Sequence, residues 1–360
     1  MRAAVIEQTG QPVTVRDDVT VLEPGPGEVR VRLHASGICR SDLSTIDGLL
    51  PQPLPAVLGH EAAGEVVAAG AHVRTPAVGD RVVLAWIAPC GACHHCVRGE
   101  AHLCTVHVKA GWARPRFRLG DGTPAYGMAG CGTWAQETVV PAAAAVPVAA
   151  DVPYEIAALL GCAVTTGVGA VCTTARVRPG SSVVIIGCGG VGLAAIQGAR
   201  LAGAAVVVAV DPAPTQHGPA LAFGATRAVT PDELPATLRS LGLSRGADYG
   251  FDVVGRPGTI RAAWDHTRRG GTVVVVGAGG AEPEVRFSPA ELLFDGKQLL
   301  GALYGSADVR RDITTLTGLW RAGRLDLAEM VSATMELGEV GDGLRRLRAG
   351  GAIRLVLTLA

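Results

Sequence analysis

Residues 182–211 read SVVIIGCGGVGLAAIQGARLAGAAVVVAVD. The run SVVIIG is apolar, rich in β-branched residues and free of alternation, which is the pattern of a strand covered on both faces in a parallel sheet. It enters a glycine turn with the spacing G-x-G-x-x-G at Gly187, Gly189 and Gly192. An apolar helical segment opens at Gly190 and Val191, and a second buried strand, AVVVAVD, ends on Asp211. A strand, a glycine turn, a helix and an acid at the end of the next strand together form a dinucleotide-binding fingerprint. Gly187 permits the tight turn, Gly189 lets the backbone approach a pyrophosphate, and Gly192 lets helix and strand pack closely. Free N–H groups at the helix start face the phosphates. The carboxylate of Asp211 suits ribose hydroxyls and repels a 2′-phosphate, so NAD is expected in preference to NADP.

Further strands follow at YGFDVVG and GTVVVVG. Strands alternating with helices at this spacing predict a parallel sheet wrapped by helices. Upstream, residues 1–150 differ in texture. Short strands MRAAVIEQ, EVRVRLHASGI, GEVVAAGAHV, DRVVLAWI and AQETVV are broken by Gly and Pro, which predicts a β-rich domain. Residues 154–172 read as one helix joining the two regions, residues 107–130 as a long polar loop, and the tail ends in a strand, IRLVLTL. The fold class is therefore α/β, with a doubly wound parallel sheet at residues 164–303. The β-rich domain takes residues 1–163, and the tail after about residue 303 returns to mixed helix and strand.

The chain has 360 residues and a formal net charge of zero, from 32 basic and 32 acidic residues. Two domains are the natural division for this length. No basic excess is present to neutralise a phosphate backbone, so no nucleic-acid partner is expected. No apolar run reaches 18 residues, so no membrane span is expected. No apolar signal stretch opens the chain, which points to a cytoplasmic protein.

Four cysteines, Cys90, Cys93, Cys96 and Cys104, crowd the run CGACHHCVRGEAHLC. A thiolate cluster this tight can close a tetrahedral zinc shell by itself. A pair of disulfides is the alternative, but the nine cysteines are odd in number and several lie in apolar runs. His94 and His95 are expected to be exposed, and Cys131, Cys172 and Cys188 to be buried packing thiols. A second group is far apart in sequence: Cys39 after a strand, His60 between Gly59 and Glu61, and Cys162 after Gly161. Two thiolates and one imidazole leave zinc a fourth position, the open geometry of a catalytic site.

From Cys39 to the C terminus these motifs resemble the zinc-dependent medium-chain alcohol dehydrogenases. The resemblance implies a GroES-like catalytic domain at residues 1–163 and 304–360, to which the tail returns, a Rossmann domain at residues 164–303 and two zinc ions per chain. Cys39, His60 and Cys162 would hold the catalytic zinc, with Glu61 and Asp42 as acids behind it. The lobe at about residues 90–104 would hold structural zinc. Arg40 and Arg354 would bind the pyrophosphate, Thr166 would pack beside the nicotinamide, and Val276 would join the cofactor site. Leu50, Trp86, Trp134, Ala278 and Leu303 would line the substrate pocket, shaped for a flat or aromatic alcohol or narrow enough for a small one. The loop between Cys104 and Trp134 resembles that of dimeric members, so a homodimer is expected, with a tetramer as the other arrangement.

The implied chemistry is hydride transfer between an alcohol and NAD, with zinc acidifying the hydroxyl and Ser41 relaying its proton. A zinc-containing reductase of iminium or conjugated carbonyl substrates, an enzyme that retains its NAD, and a non-catalytic NAD-binding protein carry overlapping motifs. Two positions depart from the family pattern. Ser44 stands where many members place a proton-exit histidine, and Gln216 stands where a lysine often follows the ribose-binding acid.

Overall fold

The structure is a computed structural model that describes residues 1–106, 112–280, 284–350 and 352–359. The chain divides into two compact units, Met1–Cys162 with Asp308–Ala360, and Ala163–Ala307.

The first unit is built on two sheets. Its central strand, Glu28–Ile38, alternates Val29, Val31 and Leu33 into the core with Arg30 and Arg32 on the outer face. That period of two holds a half-buried antiparallel strand in register. It pairs antiparallel with Ala62–Ala69, with Glu137–Pro141 and with the tail strand Arg354–Thr358. In the last pairing Leu355 lies opposite Ile38, which brings Arg354 to the end of the central strand. A second sheet of six strands runs in the order Thr14–Arg16, Ala3–Ile6, Ala56–Val57, Pro124–Gly127, Pro115–Arg118, Thr20–Val21.

Two expectations are corrected in this unit. The segment read as a polar loop contains the antiparallel pair Pro115–Arg118 and Pro124–Gly127. Phe117 of this pair is fully buried. Residues 107–111 of that loop lie outside the described residues. The helix expected over residues 154–172 is interrupted: Tyr154–Leu160 ends at Gly161, and Ala163–Gly169 starts anew in the second unit. The interruption carries Cys162.

The second unit holds a six-stranded sheet in which every pairing is parallel. Its order is Arg227–Val229, Val206–Val210, Ser182–Ile186, Ala247–Asp252, Thr267–Val275, Gln298–Gly301. Ser182–Ile186 is buried along its whole length, as its unbroken apolar pattern requires. Both edge strands were absent from the sequence reading, because they are short and carry no long apolar run. Among the described residues no single helix is long and apolar enough to cross a membrane.

Gly192 is dictated by packing. A Cβ there would lie 1.9 Å from the Gly187 carbonyl oxygen. Gly192→Ala is expected to destabilise the protein by about 1–3 kcal/mol. A lowered midpoint in thermal melts, together with weakened NAD binding, checks this.

Candidate active site

Cys39 follows the central strand and caps the helix Arg40–Ile46 in an extended conformation. Its N–H donates to Oδ2 of Asp42, at 2.7 Å. The other Asp42 oxygen accepts from the Gly59 N–H at 3.3 Å and lies 3.3 Å from Nδ1 of His60. Gly59 has φ +83°, and a Cβ there would meet the Trp134 ring at 2.4 Å, so only glycine lets the chain turn into His60. Gly161 has a matching role before Cys162, where a Cβ would lie 2.6 Å from the Leu84 carbonyl oxygen.

The donor atoms of Cys39, His60 and Cys162 all lie within 4.8 Å of one another, and all three side chains are buried. This spacing fits a single zinc, whose bonds to sulfur and nitrogen are about 2.0–2.3 Å long. The buried carboxylates of Asp42 and Glu61 beside it fit a cation centre as well. Hydrogen bonding with Cys162 holds the Cys39 thiol well below its usual range against the opposing effect of burial, and Arg354 and His60 add to the lowering. Cys162 is pushed up by that same contact and by burial. Burial works against charge on His60, yet Asp42 and Cys39 together outweigh it and raise its pKa. Burial raises Asp42.

Arg354 is placed differently from its expected role. It is 3% exposed, its Nη1 donates to the Ile38 carbonyl at 3.1 Å, and its Nε lies 3.4 Å from Oε1 of Glu61. Burial disfavours its charge, but Glu61 and the two thiols keep it protonated above the usual range. The structure shows it as the cation behind the metal group rather than an open phosphate ligand. Glu61 itself is fully buried, and Gly37 makes room for it, since a Cβ on Gly37 would lie 2.0 Å from Oε1.

The four lobe cysteines form the second donor group, also within 4.8 Å of one another. Sγ atoms of Cys90 and Cys96, and of Cys93 and Cys104, are 3.9 Å apart. A tetrahedral zinc with bonds near 2.3 Å spaces sulfurs by about 3.8 Å. Disulfides, whose sulfurs are bonded at about 2.05 Å, are absent among the described residues. Backbone N–H groups of Ala92 and Cys93 donate to Cys90 Sγ and lower its pKa. The backbone N–H of Cys96 chiefly lowers Cys93, to about 6. Both shifts favour thiolates, whereas burial pushes Cys96 up to about 12. His94 is exposed, whereas His95 is half-buried against Glu100 at 2.8 Å.

In the second unit, the helix Gly190–Leu201 starts from Gly189. Nothing lies within 4 Å of a Cβ built on Gly189, which leaves its backbone open to a phosphate. Gly187 has φ +100°. Asp211 accepts from the Cys188 N–H and from the Ala213 N–H, each at 2.9 Å, which fixes its carboxylate beside the glycine turn. Thr166 is buried in the helix Ala163–Gly169. The Val276 N–H donates to the Asp252 carbonyl at 2.8 Å.

Comparisons with known proteins identify the family. Residues 25–150 match the family model described as Alcohol dehydrogenase GroES-like domain, and residues 190–319 match Zinc-binding dehydrogenase. S-(hydroxymethyl)glutathione dehydrogenase of Paracoccus denitrificans is 34% identical, covering 99% of each chain. The chain belongs to the zinc-binding alcohol dehydrogenases. It is an oxidoreductase of the kind that uses zinc and a nicotinamide dinucleotide. Two solved structures of the group superpose closely. An alcohol dehydrogenase zinc-binding domain protein from Burkholderia ambifaria has a TM-score of 0.93 at 32% identity, covering 100% of this chain and 98% of the other. Benzyl alcohol dehydrogenase of Acinetobacter calcoaceticus gives 0.92 at 28%, covering 100% and 99%.

For this alcohol dehydrogenase the expected pocket residues separate. Trp86 is half-buried and edge-on to His60, with ring centroids 6.4 Å apart. Leu50 is half-buried near the end of the Arg40–Ile46 helix, its N–H bonded to the Ser44 carbonyl. Ala278 and Leu303 are exposed on the second unit. Trp134 is a correction: it is 0% exposed, packs in the core and donates its indole N–H to the Gly37 carbonyl at 3.1 Å. It offers no surface to a substrate. Sequence reasoning missed Trp112, whose ring lies 6.4 Å from that of Trp86. Nothing in the surrounding polar run marks it. Cys172 is a further correction, being exposed, whereas Cys131 and Cys188 are buried.

Elemental analysis is expected to find two zinc ions per chain, one lost in Cys162→Ser and the other in Cys93→Ser. Asp42→Asn is expected to weaken zinc retention at the Cys39 site by about 10- to 100-fold, read by chelator competition.

Proposed function

We propose that this chain oxidises primary or secondary alcohols to aldehydes or ketones, and catalyses the reverse, with NAD as its coenzyme. The observation that carries this reading is the buried group of two thiols and one imidazole, backed by Asp42, Glu61 and Arg354. The relatives named as S-(hydroxymethyl)glutathione and benzyl alcohol dehydrogenases support an alcohol substrate. Zinc held there supplies Lewis acidity to a hydroxyl, and NAD supplies the hydride acceptor.

The chain's own residues do the rest. Asp42 orients His60 through Nδ1, which leaves Nε2 for the metal. Ser41 sits in the first turn of the helix Arg40–Ile46, its Oγ 3.8 Å from Cys39 Sγ, and takes the substrate hydroxyl proton. Ser44 cannot pass that proton on as a base near neutral pH, so the exit uses water or another group. Arg40 is exposed on the same helix and available to a pyrophosphate. Asp211, fixed beside the glycine turn, selects NAD.

The working form is a homodimer in a reducing, cytoplasmic compartment. The nine cysteines are all free thiols, which suits such a compartment. The edge strand Gln298–Gly301 is paired on one side by Thr267–Val275. The preceding helix Pro289–Asp295 exposes Leu292, Leu293 and Phe294, and the strand exposes Leu299. An open edge flanked by exposed apolar side chains fits an identical edge across a two-fold axis.

A panel of alcohols with NAD and NADP in parallel, followed by coenzyme absorbance, tests the activity; no turnover with any alcohol overturns it. NAD is expected to exceed NADP by at least about tenfold in kcat/KM, with Asp211→Ser narrowing the gap. Ser44→His is expected to raise alcohol oxidation near pH 7, read from a pH–rate series. Leu293→Arg with Leu299→Arg is expected to convert dimer to monomer in sedimentation velocity.

A further inference from the structure

After the strand Val206–Val210 the chain reads Asp211-Pro212-Ala213-Pro214-Thr215-Gln216-His217. The Asp211 carboxylate is held on both oxygens, Oδ2 by the Cys188 N–H and Oδ1 by the Ala213 N–H, each at 2.9 Å. Its backbone is held separately. Nε2 of His217 lies 2.9 Å from the Asp211 carbonyl oxygen. A carbonyl only accepts, so Nε2 carries a proton and donates. In an ordinary turn the residue three on would donate to that carbonyl, but here it is Pro214, which has no N–H. The imidazole supplies that donor from the first residue of the helix His217–Ala222. His217 is half-buried, whereas Gln216, where a lysine often stands in the family, is buried.

We infer that His217 is a positioning residue for the coenzyme, whose clasp on the Asp211 carbonyl holds the acid against the adenosine ribose and so sharpens the choice of NAD over NADP. This rests on the reading of NAD as the coenzyme given above. An acid at this place discriminates only while its carboxylate stays beside the ribose, where it accepts a hydroxyl and repels a 2′-phosphate. One of the two N–H groups that fix the carboxylate belongs to Ala213, inside the segment that His217 closes. Ala213 keeps its bond to Oδ1 only while that segment keeps its shape. Pro212 and Pro214 fix φ at two positions of it, and the imidazole ties its far end back to Asp211. Without the clasp the carboxylate is free to turn from the ribose. NAD then loses a hydrogen bond, while NADP loses a repulsion. The two coenzymes respond in opposite directions, which a general loss of stability does not reproduce. The hydride-transfer step is left alone, since the clasp acts on the adenosine half of the coenzyme.

The test titrates the zinc-loaded protein with NADH and with NADPH, following the fluorescence of the reduced nicotinamide, so that no turnover is needed. His217→Ala is expected to weaken NADH by about three- to tenfold and to leave NADPH unchanged or tighter. His217→Gln is expected to restore most of the NADH affinity, because its amide nitrogen stands as many bonds from Cα as imidazole Nε2. His217→Asn, whose amide is one bond shorter, is expected to behave as His217→Ala and takes its place should that variant not fold. In turnover the KM for NAD is expected to rise with kcat retained. NADH affinity unchanged within about twofold in the Ala and Asn variants overturns the inference. Equal weakening of both coenzymes, or no recovery in His217→Gln, overturns it as well. If wild-type protein binds NADPH as tightly as NADH, the reading of NAD as the coenzyme fails, and the loss of NADH affinity with its recovery in His217→Gln still decides the clasp. If wild-type protein prefers NADH and the substitutions do not move that preference, the clasp alone fails.

Discussion

Asp42 is a fully buried carboxylate that joins two segments of chain twenty residues apart. It accepts the Cys39 N–H and the Gly59 N–H and lies against Nδ1 of His60. A carboxylate without such partners is expensive to bury, and removing one partner of a buried charged pair leaves the other uncompensated. Asp42 is therefore held only where those three groups converge, and their convergence sets Cys39 and His60 face to face. The same contacts give His60 its orientation, with one ring nitrogen committed to Asp42 and the other left for a metal.

Around this carboxylate the first unit gathers charges that would be hard to explain in an ordinary core. Glu61, Arg354, His60 and two thiols lie buried within one neighbourhood. Arg354 reaches it because the C-terminal strand pairs with the end of the central strand, Leu355 opposite Ile38. Close backbone approach does the remaining positioning. Gly37 yields space to Glu61, Gly59 to Trp134, and Gly161 to the Leu84 carbonyl. Each donor segment thus arrives beside a position where a side chain would collide, so the site is fixed by backbone packing as much as by its polar contacts.

The nucleotide-binding unit was largely legible in the sequence. Its strands are buried on both faces, so SVVIIG and AVVVAVD stand out as unbroken apolar runs, and Gly192 is required by a contact to Gly187 inside the same turn. The lobe cysteines were legible because all four donors lie within one short run. Reading failed where long-range packing decided. The segment around residues 115–127 is rich in Gly, Pro and charge, yet folds as a strand pair, because Phe117 finds a core and the buried Arg116 finds Glu28 from another part of the chain. The helix over residues 154–172 has a continuous apolar pattern, and the sequence does not show its interruption at Gly161, where the Leu84 backbone leaves no room for a side chain.

What the sequence by itself determined is whatever depends on neighbours in the chain: the period of each strand, the glycine turn with Asp211, and a four-sulfur cluster spaced to close on one ion. Only the tertiary structure decided which distant side chains share a dielectric environment. It moved Arg354 behind Glu61, withdrew Trp134 into the core and set Trp112 against Trp86. Hydrogen bonding, burial and ring contact act over a few ångströms of space, whatever the separation along the chain, so these roles exist only once the sheets have brought the residues together.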